Sequence, residues 1–135
     1  MKRVSALLSM LCATHAGAAG SSLTIHYSER APLHYTQQGS LVGDAALPVL
    51  TALKTAGIDY AVRSTPAKQQ LILLNDNRAP ACMMSWVDLP GREQRGKFSA
   101  VIYRDSHGER RLWCTKAVPD EVLQRLNAAL ALPPS

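Results

Sequence analysis

The nine residues APACMMSWV, Ala79–Val87, form a nearly unbroken apolar run. A strand with one wet face alternates apolar and polar residues. A continuous run of this length instead fits a strand covered on both faces, in a sheet with helices on each side. The surrounding chain supplies the other parts of such a sandwich. SLTIHY (Ser22–Tyr27) alternates and is partly β-branched, and predicts a first strand. YTQQGSLVG predicts a small hairpin turning at Gln38-Gly39. A helix is expected from Gly43-Asp44, with Asp44 as N-cap, Pro48 in or near the first turn and Gly57 just past the end. Ala46, Leu47, Leu50 and Leu53 recur there at helical spacing.

IDYAVRS then reads as a second strand. Thr65-Pro66 opens a second helix, with Thr65 capping, Pro66 at the first helical position and Leu71, Leu73 and Leu74 turned inward. After the apolar strand, LPGREQRGK is a turn or short helix, FSAVIYRD a fourth strand, DSHGER a tight turn and RRLWCTK a fifth strand. Pro119 starts a last helix whose stripe is Val122, Leu123, Leu126, Ala129 and Leu130. Asp120 and Glu121 suit its positive end. The order predicts an α/β fold, a mostly parallel open sheet of about five strands flanked by helices. In such sheets ligands bind beyond the carboxyl ends of the strands. The loops SERAPLH and VDLPGR become neighbours there if the first and third strands pair.

The chain of 135 residues begins MKRVSALLSMLCATHAGAAG. Lys2 and Arg3 form a positive start, Ala6–Ala13 a short apolar stretch, and Ala16-Gly17-Ala18 a small-residue cleavage site. Residues 1–19 read as a secretory signal peptide, cut after Ala18 or Ala19, and 20–135 as one domain in the periplasm. The apolar stretch is too short to span a bilayer. Met10 and Leu11 before Cys12 do not fit a lipoprotein processing site. The formal charge of +5 falls to about +3 without Lys2 and Arg3, and the charges are not clustered, so nucleic acid is not an expected partner. Export makes Cys82 and Cys114 disulfide candidates; the alternative is two buried thiols that never meet.

His15, His26, His34 and His107 have no metal-ligand spacing with each other or with the cysteines. Ser85, Ser99 and Cys114 lack the context of a catalytic nucleophile. Asp88, Asp105 and Glu109 are not placed together by anything in the sequence. No catalytic constellation emerges, and neither an enzyme nor a cofactor is expected.

LTIHYSERAPLHY, GSLVGDAALPVLTALKTAGIDYAV, STPAKQQL and ACMMSWVDLPGREQRGKFSAVIYRD together resemble segments of the bacterial extracellular solute-binding proteins of family 3, the periplasmic receptors of amino-acid-type ABC importers. The PGR turn followed by Phe98-Ser99 is the most specific part. RRLWCTKAVPDEVLQRLNAAL resembles the segment with which such proteins return to their first lobe. Between IYRD and RRLWC only SHGE remains, so the resemblance covers the first lobe of a two-lobed family, with a tight turn near 105–109 in place of the second.

The resemblance implies a small-molecule solute, an amino acid or another carboxylate, held near Arg92. A guanidinium offers a permanently charged planar fork to a carboxylate. The structural alternative is an arginine paired with Glu93, Asp88 or a helix end. Ser85 and Val87 stand where the family meets the ligand's amino end, although Val87 has no hydroxyl. Trp86 offers an aromatic face to a ligand, or belongs to the core. Leu33 stands where many members place a stacking aromatic, with Tyr35 or His34 as substitutes. Glu29 and Arg30 are expected to pair with each other. The implied partners are the membrane subunits of an ABC importer, or a second copy of the chain across the open cleft. The rival expectation is a protein-interaction or regulatory lobe that has lost solute binding.

Overall fold

A computed structural model describes residues 22–132. The signal peptide read at 1–19 lies outside the described residues. The elements are β1 (Leu23–Tyr27), β2 (Tyr35–Gln37), β3 (Ser40–Val42), α1 (Ala46–Thr55), β4 (Tyr60–Ser64), α2 (Ala67–Asp76), β5 (Ala81–Val87), a single 3-10 turn at Arg92–Gln94, β6 (Lys97–Asp105), β7 (Gly108–Cys114) and α3 (Asp120–Leu130). The main sheet has the order β4-β1-β5-β7-β6. β1 pairs parallel with β4 and β5, whereas β7 pairs antiparallel with β5 and β6. β4, β1, β5 and β6 therefore run in one direction and β7 in the other, which is the mostly parallel α/β lobe expected from the pattern. β2 and β3 form a separate hairpin. Its turn residues Gln38 and Gly39 both have positive φ, as a tight two-residue hairpin turn demands.

α1 and α3 cover one face of the sheet, over a core that includes Leu23, Ile25, Leu53, Cys82, Met84, Leu112 and Leu126. α2 covers the other face, where Leu74, Ala81, Met83 and Trp113 meet. β5 alternates between these two cores, so all of its first five residues are buried. That is the physical origin of the apolar run. Each large aliphatic side chain fully buried in this way contributes about 1.5–3 kcal/mol. Cys82 and Cys114 are register partners on β5 and β7 and are joined as a disulfide. β6 and β7 turn directly into one another through Ser106 and His107. Among the described residues, no helix is long and apolar enough to cross a membrane.

Three local expectations are corrected. Asp44 does not cap α1: the N-cap position is Ala45, with no side-chain bond. The preceding loop does the capping instead, because the N–H groups of Asp44, Ala45 and Ala46 donate to the carbonyls of Pro32 and Leu33. This close approach requires Gly43, where φ is 127° and a Cβ would collide with the Leu33 carbonyl. Pro66, not Thr65, is the N-cap of α2. The Thr65 hydroxyl is instead 2.7 Å from Nδ1 of buried His26, tying β1 to the chain that enters α2. Leu47 is exposed, and the inward stripe of α1 runs through Ala46, Val49, Ala52 and Leu53.

Candidate functional site

The carboxyl ends of β1 and β5 meet the amino end of α2 around a cavity of about 160 Å³. Ser28, Arg30 and His34 line it from the loop after β1, Ala67 and Gln70 from α2, Met84, Ser85 and Trp86 from β5, and Arg110 from β7. The first and third strands expected from the sequence do pair, as β1 and β5, and the SERAPLH loop lines the cavity, whereas no residue of VDLPGR does.

The loop after β1 folds back on itself. The Arg30 N–H donates to the His34 carbonyl at 2.7 Å, and the His34 N–H returns to the Arg30 carbonyl at 3.0 Å. This reversal turns the His34 ring inward, leaving it 1% exposed. Nδ1–H donates to the Ser28 carbonyl at 2.6 Å, and Nε2 has no partner among the described residues. Burial, and after it the nearby Arg30 charge, hold the imidazole below its usual pKa, so its neutral form carries a bare Nε2 lone pair.

Ser85 sits where the β5–β7 ladder breaks between Met83 and Trp86. Its φ of 68° is left-handed, a conformation costly for a side chain other than glycine. The break lets its carbonyl accept from Arg110 Nη1 at 3.0 Å. The buried Ser85 Oγ has no partner among the described residues. Arg110 is held in turn by Asp105 at 2.9 Å. Gln70, 1% exposed, accepts from Trp86 Nε1 at 2.8 Å and donates to the Thr65 carbonyl at 2.8 Å, fixing the indole.

Of the residues expected at a site, Ser85 and Trp86 line the cavity, and His34 is the substitute that faces it. Leu33 packs against the core and Tyr35 lies half-buried at the start of β2. Val87 is a register partner of Arg110, and its carbonyl accepts from Arg92 Nη1 at 2.7 Å. Arg92 is not among the lining residues. Its guanidinium stands 5.2 Å from the Trp86 ring centre and 5.4 Å from that of Trp113. It makes no ion pair with Glu93 or Asp88. Trp86 thus touches both the cavity and Arg92.

Glu29 does not pair with Arg30. Its carboxylate accepts from the Thr36 hydroxyl, the Thr36 N–H at 2.8 Å and the Ser64 hydroxyl at 2.9 Å, and these bonds, Thr36's first, hold it below the usual carboxylate range. Arg30 consequently has no carboxylate partner among the described residues.

Gln70 and Arg110 were missed as lining residues. A faint signal exists for both. Gln70 lies four residues before inward Leu74, and strand alternation puts Arg110 on the same side as Leu112 and Cys114. Polar groups at core-facing positions mark places where the core opens. Among the described residues, no group of three or more His, Cys, Asp or Glu could hold a metal ion.

No family model matches the chain, and no curated protein matches it. Solved structures do. The arginine-bound form of domain 1 from TmArgBP aligns with TM-score 0.60 at 16% identity, over 81% of this chain and 90% of that one. A point mutant of the same arginine-bound domain gives 0.61 at 17% identity, over 82% and 89%. YckB from Bacillus subtilis gives 0.50 at 19% identity, over 60% of this chain and 34% of that one. At such identities the similarity establishes the fold: a single lobe built like a domain of solute-binding proteins.

Proposed function

We propose that the chain is an exported solute-binding lobe that holds a small polar or carboxylate-bearing solute, without chemistry, in the cavity between β1, β5 and α2. One observation carries this reading. Two buried polar atoms without partners among the described residues, His34 Nε2 and Ser85 Oγ, belong to side chains lining the same cavity. Leaving a buried polar group unpaired costs about 1–3 kcal/mol, which a bound solute would recover. The neutral imidazole asks for an N–H or O–H donor, and the Ser85 hydroxyl can donate or accept. Arg30 is uncommitted to a carboxylate and, with the amino end of α2, favours a negative group. A small molecule with an anionic end and a donor end satisfies all of these. The arginine-bound domain 1 of TmArgBP supports the idea that one such lobe can hold a solute.

Arg92 enters this reading as a positioning residue, setting Trp86 from outside the cavity. The domain spans 20–135 after removal of the signal peptide. It serves uptake, with ABC importer membrane subunits as the receiving partner, or sensing. A protein-interaction role is favoured by Arg92 being taken up by Val87 and two tryptophans, and by Leu89 nearby, 47% exposed.

The test is a two-dimensional amide spectrum of the oxidised protein, with and without pooled amino acids and small carboxylates. It is repeated on Ser85→Ala and Arg30→Ala. Shifts confined to residues 28–34, 67–70 and 84–87 in the parent, and weakened in both variants, are expected. A parent spectrum that ignores every pool would refute solute binding and leave the interaction reading.

A further inference from the structure

The two edges of the main sheet are treated very differently. β6 is guarded: its pairing with β7 is interrupted between Phe98 and Val101 and again between Val101 and Tyr103. The Ala100 N–H is occupied by Asn127 Oδ1 of α3 at 2.8 Å. Its far end carries Arg104 and Asp105, both engaged in ion pairs. Such bulges, covers and charges are how an edge is kept from pairing.

β4, the opposite edge, has none of these devices among the described residues. It is regular over all five residues against β1, contains no proline, and carries one charge, Arg63. The Leu23 N–H donates to the Asp59 carbonyl, and the Thr65 N–H donates to the Tyr27 carbonyl. By alternation, the backbone groups of Ala61 and Arg63 also point to β1. Those of Tyr60, Val62 and Ser64 point outward and have no backbone partner among the described residues.

We infer that β4 is a docking edge for β4 of a second copy of this chain, antiparallel and centred on Val62, joining two five-stranded sheets into one. The register is self-complementary. Val62 meets Val62 of the other copy, and Tyr60 meets Ser64, so the outward N–H and C=O groups of all three residues are satisfied together. Arg63 then lies opposite Ala61 of the other copy, and Asp59 is its diagonal neighbour on the same face, within reach of a long side chain. The two-fold axis makes this contact twice. Neither Arg63 nor Asp59 has an ion-pair partner in its own chain among the described residues. Ile72, 55% exposed, lines the groove beside Arg63 and Ser64, adding an apolar side chain next to the seam. The solute cavity stays outside this contact, so the inference stands independently of solute binding.

A seam of one short strand is small, and a dissociation constant of about 10–100 μM is expected. Sedimentation equilibrium of the oxidised protein from low micromolar to millimolar concentration is expected to show monomer and dimer. Arg63→Glu and Asp59→Lys should each raise the dissociation constant about tenfold, and the double variant should restore dimer formation. Amide hydrogen exchange on the unaltered protein provides a second reading. Tyr60, Val62 and Ser64 should gain protection with concentration, while Ala61 and Arg63, already bonded to β1, should not. A protein that stays monomeric at millimolar concentration would overturn the inference. So would a dimer that ignores both charge reversals and leaves exchange at Val62 unchanged.

Discussion

The Cys82–Cys114 bridge should decide how stable this lobe is. It joins central β5 to antiparallel β7, closes a loop with a sequence separation of 32, and both residues are fully buried. In the chain-entropy account, a loop of that length restricts the unfolded chain by about 4 kcal/mol at 25 °C. A domain of this size loses about 4 °C in melting temperature per kcal/mol, so opening the bridge should lower it by about 15 °C. The assay is thermal unfolding followed by circular dichroism, with and without excess reductant, together with the Cys82→Ala/Cys114→Ala double variant. Alanine is the right replacement, because serine would bury hydroxyls against apolar neighbours. Reduced protein and double variant should fall by similar amounts, the variant somewhat further because it also leaves space in the core. A reduced form melting within about 3 °C of the oxidised one would show that native packing alone fixes this pair, and the loop-closure argument would fail.

Further outcomes follow from the same contacts. Gln70→Leu removes the partners of the Trp86 indole N–H and the Thr65 carbonyl; a loss of about 2–3 kcal/mol in chemical denaturation is expected, with altered tryptophan fluorescence. Arg92→Ala removes one hydrogen bond and two aromatic contacts; it should cost about 1–2 kcal/mol of stability and weaken solute binding less than Arg30→Ala does, as read by calorimetric titration. His26 and His34 both have pKa values held below the ordinary 6.5, chiefly by burial. The unfolded chain therefore binds their protons more readily, and their contribution is whole above pH 6.5 and lost as pH falls below it. Melting temperature should drop between pH 6.5 and 5, and a His26→Gln/His34→Gln variant should flatten that drop.

The architecture was legible because it depends on periodicity. β5 reads as buried on both faces because it is, and Gln38-Gly39 marks the hairpin because both residues there need positive φ. The helix entries were less legible. Asp44 and Thr65 are good capping residues by type, but the carbonyls of Pro32 and Leu33 reach α1 first, and His26 claims the Thr65 hydroxyl. Local propensity cannot anticipate a partner that folding brings from 12 or 39 residues away. The site was half visible. Ser85 came from the family resemblance, which also pointed to Val87, a residue that does not line the cavity, and Trp86 stood between a ligand face and the core. The inward turn of His34 depends on a loop reversal, and the place of Arg92 depends on two tryptophans from different strands, neither of which any spacing encodes.

The most direct test of the central claim is the nitrogen-15 resonance of His34 Nε2, observed through its ring protons at pH 7.5 as pooled amino acids and small carboxylates are added. Binding in the cavity predicts that this bare lone pair gains a hydrogen-bond donor and its resonance moves upfield, while His107, exposed at the β6–β7 turn, stays still. A His34 signal that is unmoved by every pool, or that moves only together with His107, would contradict solute binding at this site.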